Sequence, residues 1–298
     1  MLIMCAAVLW ASGGTTSKYL FNTGMAPYVL VQYRVSFSAL VLLVYLLFFR
    51  MNSLKIKAKD LWLFIVLGAF GMGGVQATYL FAISKIKVAM AILLQYMAPF
   101  FIAIYSRLFF KERMDLWKVL SIFLAFAGCF LVVEAYSVSF LSLNSQGVIA
   151  GLLSAGFFSF YSLAGERLMR RYDPWTVLFY AFLFSALLFN ILLTPKNIIS
   201  WKAEFRWWFS VAYIICFGTV IPFGLYFMGI EHLRTTRAAI VATLEPISAG
   251  FFAFVLLGEM LTIWQILGGI LVITSIIIIQ SRKEIDLEAP IYVKQNPL

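Results

Sequence analysis

The chain has 298 residues, of which 63% are hydrophobic, 17% aromatic and only 12% charged, and its formal net charge is +10. An ordinary soluble domain is about 45–50% apolar and about 25% charged, and a soluble fold of this size cannot bury so much apolar surface. The composition therefore argues against a soluble enzyme, a disordered chain and a disulfide scaffold. The basic excess does not indicate nucleic acid, because Lys and Arg gather in short gaps between apolar runs, as topology signals do.

Ten apolar runs of spanning length follow one another along the chain, separated by turn residues and charges. Within lipid each run must be an α-helix, because a helix satisfies its own backbone hydrogen bonds. The short loops leave no room for an inserted soluble domain. We therefore predict an all-α integral membrane protein with ten transmembrane helices, at residues 2–22, 27–49, 60–83, 88–110, 115–134, 146–165, 174–194, 207–230, 236–257 and 262–280.

The basic residues also predict the orientation of these helices. With a cytoplasmic N-terminus, 16 of the 23 Lys and Arg residues fall at cytoplasmic ends and six at outer ends. This bias predicts a multi-pass protein of the cell (inner) membrane with both termini in the cytoplasm. Residues 281–298 are polar and predict a loose cytoplasmic tail.

The two halves of the chain match each other at one constant offset. Each predicted half holds five spans, in residues 1–134 and 146–280. Because five is odd, the second copy enters the membrane from the opposite side, which predicts two inverted five-helix repeats. That arrangement is typical of secondary transporters, whose substrate lies near the midplane between the repeats. A shift of 147 residues superimposes Pro27 on Pro174, Gly71 on Gly218, Pro99 on Pro246, Glu112 on Glu259 and Trp117 on Trp264.

The order of several motifs resembles the EamA-type transporters of the drug/metabolite transporter superfamily. The resemblance covers nearly the whole chain and implies a ten-helix bundle that exports or exchanges small metabolites, often amino acids. Three departures are Trp-Ala in place of Trp-Gly at residue 10, Phe157-Phe158 in the sixth span, and Ala181 where the first copy has Arg34. The matching residues are Trp10-Ala11-Ser12, Lys18, Pro27, Arg34, Pro99, Glu112 and Gly128, then Leu244-Glu245-Pro246, Leu257-Gly258-Glu259, Gln265 and Gly268-Gly269.

Two charged residues fall deep inside predicted spans. Arg34 lies seven residues into the second span and Glu245 nine residues into the ninth. A charge within lipid is costly and by default indicates a function. For Arg34 the alternatives are a contact with an anion, a gating ion pair, or bonds to helix carbonyls that fix the bundle. For Glu245 they are proton coupling, substrate contact, or a structural acceptor role.

Four further residues form two pairs at matching positions. Glu112 and Glu259 end the fourth and ninth predicted spans, where helix capping is predicted and a gate contact is the alternative. Pro99 and Pro246 lie mid-span and predict kinks, which are either moving elements or static curvature. Proline at 246 also frees the carbonyl group of residue 242.

Neutral hydrogen-bonding and aromatic side chains within the spans are candidates to line a substrate pathway. They suit an amphipathic or aromatic solute better than a bare ion. Each is also a candidate for packing or lipid contact. The candidates are Trp10, Gln76, Tyr79, Gln95, Phe157, Tyr161, Tyr180 and Tyr226.

We therefore predict a secondary transporter of small metabolites, amino acids or related compounds, that works by alternating access. Proton coupling stays open, and so does multidrug-type efflux of hydrophobic or cationic compounds. The sequence holds no catalytic cluster, phosphate loop, or Cys and His pattern for a metal, so neither an enzyme nor a cofactor is predicted. The predicted partners are the solute and the lipid bilayer, without nucleic acid, while protons as a partner and the oligomeric state stay open.

Overall fold

The computed structural model describes residues 1–109, 112, 114–136, 144–193, 205–257 and 262–281, with the side chains of 253–257 left out. Every regular element within those ranges is helical. Glu259 and the predicted tail beyond Ser281 lie outside the described residues.

The first half of the chain contains helices α1 to α7. Two of its predicted spans are irregular, because a π-helical segment joins α3 to α4 and a short turn separates α5 from α6. The elements are α1 (Leu2–Asn22), α2 (Pro27–Phe49), two 3₁₀ turns (Met51–Leu54 and Ala58–Asp60), α3 (Leu61–Val66), the first π segment (Leu67–Met72), α4 (Gly73–Lys85), α5 (Val88–Gln95), α6 (Ala98–Phe109) and α7 (Leu116–Val132).

The second half contains helices α8 to α14 and has matching irregularities. A second π segment joins α10 to α11, and a turn at Thr243 separates α12 from α13. The elements are α8 (Ser145–Met169), α9 (Pro174–Leu192), α10 (Phe205–Ile215), the second π segment (Cys216–Val220), α11 (Ile221–His232), α12 (Thr235–Ala242), α13 (Leu244–Leu257) and α14 (Ile263–Ser281).

Local sequence signals set several of these boundaries. Proline occupies the first turn of α2 and of α9, where its missing N–H costs nothing. Asp115 caps α7 by accepting a hydrogen bond from the Lys118 backbone N–H at 2.8 Å. Asp173 caps α9 in the same way through the Trp175 backbone N–H at 2.9 Å. Such caps satisfy N–H groups that have no partner within the helix.

Seven segments in the described chain are long and apolar enough to cross a membrane. This confirms an all-helical, multi-pass membrane protein, within which α7 is a shorter apolar helix. The seven do not include α1, α7 or the α12–α13 pair. The seven are Pro27–Phe49, Ala58–Lys85, Val88–Phe109, Ser145–Met169, Pro174–Leu192, Phe205–His232 and Ile263–Ser281.

Glycine allows two helices to meet backbone to backbone at the edge of the bundle. α7 packs along α14, and a Cβ atom at Gly128 would lie 2.6 Å from the Gly268 carbonyl oxygen. A Cβ atom at Gly268 would lie equally close to the Gly128 carbonyl oxygen. Small residues permit this approach in lipid, where helix association depends on close packing.

Substituting Gly128→Ala should therefore destabilise the protein, by about 1–3 kcal/mol, because the new methyl group overlaps the facing helix. Thermal unfolding of the purified protein in detergent measures this loss. Gly269→Ala is the matched control, since a Cβ atom there meets nothing within 4 Å and alanine favours a helix. Equal midpoints for the two variants would contradict the packing described.

Candidate functional site

A small cavity lies among helices of both halves of the chain. Its volume is about 30 Å³, enough for one or two water molecules. Aromatic side chains of Trp10, Phe158 and Phe223 form part of its wall. Its polar side chains are Arg34, Gln76, Tyr79, Gln95, Tyr96 and Glu245.

Arg34 reaches this cavity from α2 and is held by the second π segment. Its Nε donates to the Thr219 hydroxyl oxygen at 2.9 Å and its Nη2 to the Gly218 carbonyl oxygen at 3.0 Å. Residue 222 is proline, which lacks the N–H that would bond the Gly218 carbonyl four residues earlier, so this carbonyl is open to a side-chain donor. Arg34 therefore bonds a helix carbonyl, one of its predicted alternatives, while only 4% of it is exposed.

Glu245 enters the same cavity from the first turn of α13. Its two carboxyl oxygens lie 3.4 Å from the Tyr79 hydroxyl and 2.9 Å from the Tyr96 hydroxyl. It is 7% exposed. Within the described residues it forms no direct ion pair with Arg34, although both side chains line the cavity. The site therefore holds two opposite charges that do not neutralise each other by contact.

Pro246 explains why Tyr96 lies where it does. Proline lacks the N–H that would bond the carbonyl group four residues earlier, which here is Ala242. The Tyr96 hydroxyl donates to that carbonyl oxygen at 2.5 Å. A side chain from the first half thus replaces a missing backbone bond in the second half. Because unsatisfied backbone groups are costly in lipid, Tyr96 ties the two halves together beside Glu245.

Four of the eight predicted pathway residues line the cavity. Trp10, Gln76, Tyr79 and Gln95 are in its wall. The Trp10 ring also contacts those of Phe158, Phe223 and Tyr226 at 6.2, 5.1 and 5.3 Å between centroids. The indole Nε1 of Trp10 is buried and has no hydrogen-bond partner in the described chain.

The other four predicted residues lie elsewhere. The Phe157 ring covers Gly74 and packs against Phe70. The neighbouring Phe158 lines the cavity instead, because one residue along a helix turns the side chain by about 100°.

The three tyrosines among them have structural contacts. Tyr161 stacks on Phe227 with 4.7 Å between ring centroids. Tyr180 donates to the Leu54 carbonyl oxygen at 2.7 Å, and Tyr226 shares a hydrogen bond of 3.0 Å with Ser162. Tyr226 contacts the Trp10 ring but does not line the cavity itself.

Glu112 does not have the first of its two predicted roles, helix capping. It does not cap α7, because Asp115 does. Glu112 is buried and forms an ion pair of 3.0 Å with Lys118, while its second oxygen accepts a hydrogen bond from the Thr236 hydroxyl at 2.9 Å. Nearby, Glu166 accepts from the Thr235 hydroxyl at 2.5 Å. These contacts join α12 to the ends of its neighbours, at one end of the bundle.

The described residues offer no metal centre. No group of three or more His, Cys, Asp or Glu side chains lies close enough among them to hold an ion. The chemistry of the cavity is therefore that of charged and neutral hydrogen-bonding groups.

Substituting Tyr96→Phe should destabilise the protein by about 1–3 kcal/mol, because the Ala242 carbonyl loses its donor. Thermal unfolding in detergent measures the effect. Tyr161→Phe is the control, since the Tyr161 hydroxyl is buried and has no hydrogen-bond partner in the described residues. That variant should be as stable as the original protein or more so. An equal loss in both variants would refute the role assigned to Tyr96.

The chain is similar in sequence to several known membrane transporters. An inner membrane transporter of Salmonella typhimurium, YicL, is 26% identical over 93% of both chains. A transporter of Archaeoglobus fulgidus is 30% identical over 68% of this chain and 70% of its own. The pseudopaline exporter CntI of Pseudomonas aeruginosa is 27% identical over 82% of this chain and 83% of its own.

One solved crystal structure shares the fold with a TM-score of 0.73 at 19% identity, and covers 93% of this chain and 94% of its own. The model of the EamA-like transporter family matches residues 1–134 and 145–281. Since these matches cover most of the sequence, the chain belongs to the EamA-like transporter family of membrane transporters.

Proposed function

We propose that this protein is a secondary transporter of small zwitterionic metabolites, amino acids or related compounds, that works by alternating access. The observation that carries the proposal is the pair Arg34 and Glu245, buried on the wall of one cavity without a direct ion pair between them. Buried charges in a membrane protein are costly and mark solute pathways. A zwitterion supplies a countercharge to each of them.

The surroundings of each charge fit one end of such a solute. Arg34 and the unpartnered indole N–H of Trp10 are donors suited to a carboxylate. Glu245 lies beside the rings of Tyr79 and Tyr96 and suits an ammonium group, which aromatic faces also attract. The solute's own side chain would meet Phe158 and Phe223. The site therefore favours a small molecule with both charges over a lipophilic cation.

We further propose ten spans arranged as two inverted repeats. The predicted offset of 147 residues recurs in the helix boundaries, which supports this arrangement. The packing is also reciprocal, since α1 contacts α11 and the second π segment while α8 contacts α4 and the first π segment. The matching boundaries are the starts of α2 and α9, of α5 and α12, and of α7 and α14, the ends of α4 and α11, and the breaks at Tyr96 and Thr243.

The small size of the cavity supports alternating access. A cavity of about 30 Å³ is too small for an amino acid, so the helices around it must separate to admit one. Both broken spans contribute to the cavity wall. Gln95 and Tyr96 lie at the break between α5 and α6, and Glu245 lies at the break between α12 and α13. Broken helices at the substrate site are typical of transporters with inverted repeats. The contacts of Glu112 and Glu166 with α12 then act as a gate at one end.

Glu245 is also positioned to exchange a proton for the solute. A phenol has one hydrogen, and Tyr96 donates it to the Ala242 carbonyl oxygen. The remaining contact of 2.9 Å between Tyr96 and Glu245 is then best satisfied by a proton on Glu245. An ammonium group binds the ionised carboxylate, so proton and solute compete for one residue. This competition would couple export of the solute to entry of a proton.

The predicted direction and orientation complete the proposal. A relative covering most of the chain is named as an exporter, which supports export from the cytoplasm. The excess of Lys and Arg at one set of helix ends supports cytoplasmic termini. The gate formed by Glu112 and Glu166 would then lie on the cytoplasmic side.

Multidrug efflux is the competing function, since Glu245 among aromatic rings also suits a lipophilic cation. Arg34 separates the two functions because its charge attracts a zwitterion and repels a cation. Counterflow in proteoliposomes, with labelled amino acids and the corresponding decarboxylated amines, should show exchange of an amino acid. An exchange confined to the amines would favour multidrug efflux.

Substituting Arg34→Gln should lower the apparent affinity for the transported amino acid at least about tenfold, because a hydrogen bond to a charged group contributes about 1.5–3 kcal/mol. Exchange of the matching amine should stay equal or rise. The control is Lys18→Gln, which also removes a cation bonded to backbone carbonyls, those of Ile83 and Ile86, but outside the cavity. If both variants lowered the apparent affinities for the amino acid and for the amine equally, the contact between Arg34 and a carboxylate would be refuted.

Substituting Glu245→Gln should abolish accumulation of the solute driven by a proton gradient, because glutamine does not release a proton. Uptake into proteoliposomes with and without an imposed pH gradient measures the coupling. Glu231→Gln is the control, since it replaces a carboxylate near the end of α11 that lines neither the cavity nor the gate. A gradient response that persists in Glu245→Gln would exclude Glu245 as the coupling residue.

A further inference from the structure

A second and larger cavity lies apart from the central one. It has a volume of about 770 Å³ and shares no lining residue with the central cavity. Its walls come from α3, α6 and α8, and most of its lining is apolar. Trp62 and Phe101 on these walls are 61% and 40% exposed. The cavity is therefore an open groove on the side of the bundle, where the bilayer meets the protein.

The groove has the length of one membrane leaflet. It follows α8 from Gly156, near the middle of that helix, to Arg170 at its end. Fourteen residues of helix rise about 21 Å, and half of the hydrocarbon core measures about 15 Å. The remainder reaches the headgroup layer. An acyl chain fits the apolar part, and the end of the groove lies at the depth of a phosphate.

That end of the groove is basic. Arg167, Arg170 and Arg171 line it, and Arg171 also lines an adjoining pocket of about 310 Å³ with Lys57, Lys59 and Tyr172. Two carboxylates lie among these cations. Asp60 is 3.1 Å from Arg171, and Glu166 is 3.9 Å from Arg170. Five basic residues thus face two acidic ones, which leaves a net positive site.

Tyr172 gives the basic end a fixed shape. Its hydroxyl donates to Asp60 at 2.7 Å and accepts from the Lys57 backbone N–H at 3.1 Å. Burial, together with the Asp60 carboxylate, raises the pKa of the Tyr172 phenol. Tyr172 thereby ties the 3₁₀ turn at Ala58–Asp60 to the loop after α8.

We propose that this groove binds one anionic phospholipid, with an acyl chain between α3, α6 and α8 and the phosphate between Arg167, Arg171 and Lys59. Basic pockets between helices at a membrane surface are suited to anionic headgroups. The apolar groove and the basic pocket meet at Arg171, so a single molecule with a charged head and an apolar tail satisfies both. The site is distinct from the solute cavity and does not depend on the transported solute.

Native mass spectrometry of the full-length protein tests this proposal. The protein is reconstituted with phosphatidylglycerol and phosphatidylcholine of identical acyl chains, and the lipid retained after extraction is counted. The expected result is one phosphatidylglycerol per chain. The double variant Lys59→Gln/Arg167→Gln should weaken its binding about 25-fold, since each cation near a membrane surface is worth about fivefold. Arg206→Gln, at an exposed position outside the lining, is the control.

A second variant tests the apolar part of the site. A Cβ atom at Gly156 meets nothing within 4 Å, so Gly156→Leu fills the deep end of the groove without disturbing a neighbour. It should lower phosphatidylglycerol retention at least tenfold, while Gly269→Leu, at a glycine that is open in the same way, should not. Equal retention of the two lipids, or unchanged retention in Gly156→Leu, would overturn the proposal. Displacement of the lipid by the transported solute would also overturn it.

Discussion

A backbone carbonyl that leaves its helix within lipid needs another donor, and two such carbonyls organise the centre of this protein. Ala242 loses its partner because Pro246 has no N–H, and it receives the Tyr96 hydroxyl instead. Gly218 loses its partner because residue 222 is also a proline, and it receives the Arg34 guanidinium. In each case the donor comes from the first half of the chain and the carbonyl from the second. The irregular backbone therefore joins the halves at the cavity, which is where non-helical backbone is tolerated in a membrane.

The hydrogen-bond partners of Arg34 and Glu245 determine the electrostatics of the cavity. Arg34 is held by neutral oxygens and Glu245 by neutral hydroxyls. Arg34 and Glu245 do not pair with each other directly, so the cavity keeps a cation and a titratable carboxyl group for a solute. A direct ion pair between Arg34 and Glu245 would satisfy both side chains within the protein and leave neither of them to bind a solute. Burying two ionisable groups is costly, and a bound solute that carries the opposite charges would offset this cost.

The sequence predicted most of the helix boundaries and the two deep charges, because both depend on local or additive signals. Apolar runs, prolines at helix starts and the offset of 147 residues are visible without tertiary structure. Of the eight pathway candidates, four line the cavity and four lie elsewhere. Tyr96 was missed because its role depends on a carbonyl 146 residues away. Phe157 was favoured over Phe158 because the repeat alignment carries no information on which face of α8 meets the cavity. Asp115, not Glu112, caps α7. The helix begins at Leu116, directly after Asp115, so Glu112 lies three residues before the capping position.

Gly13 and Gly218 have a consequence for how the halves move past each other. A Cβ atom at Gly13 would lie 2.8 Å from the Gly218 Cα, so α1 and the second π segment touch without side chains between them. Gly218 also lines the cavity. Under the proposed alternating access, this bare contact would act as a pivot. Helices that tilted about it would part at one surface while they met at the other, so the cavity would open to one side of the membrane at a time.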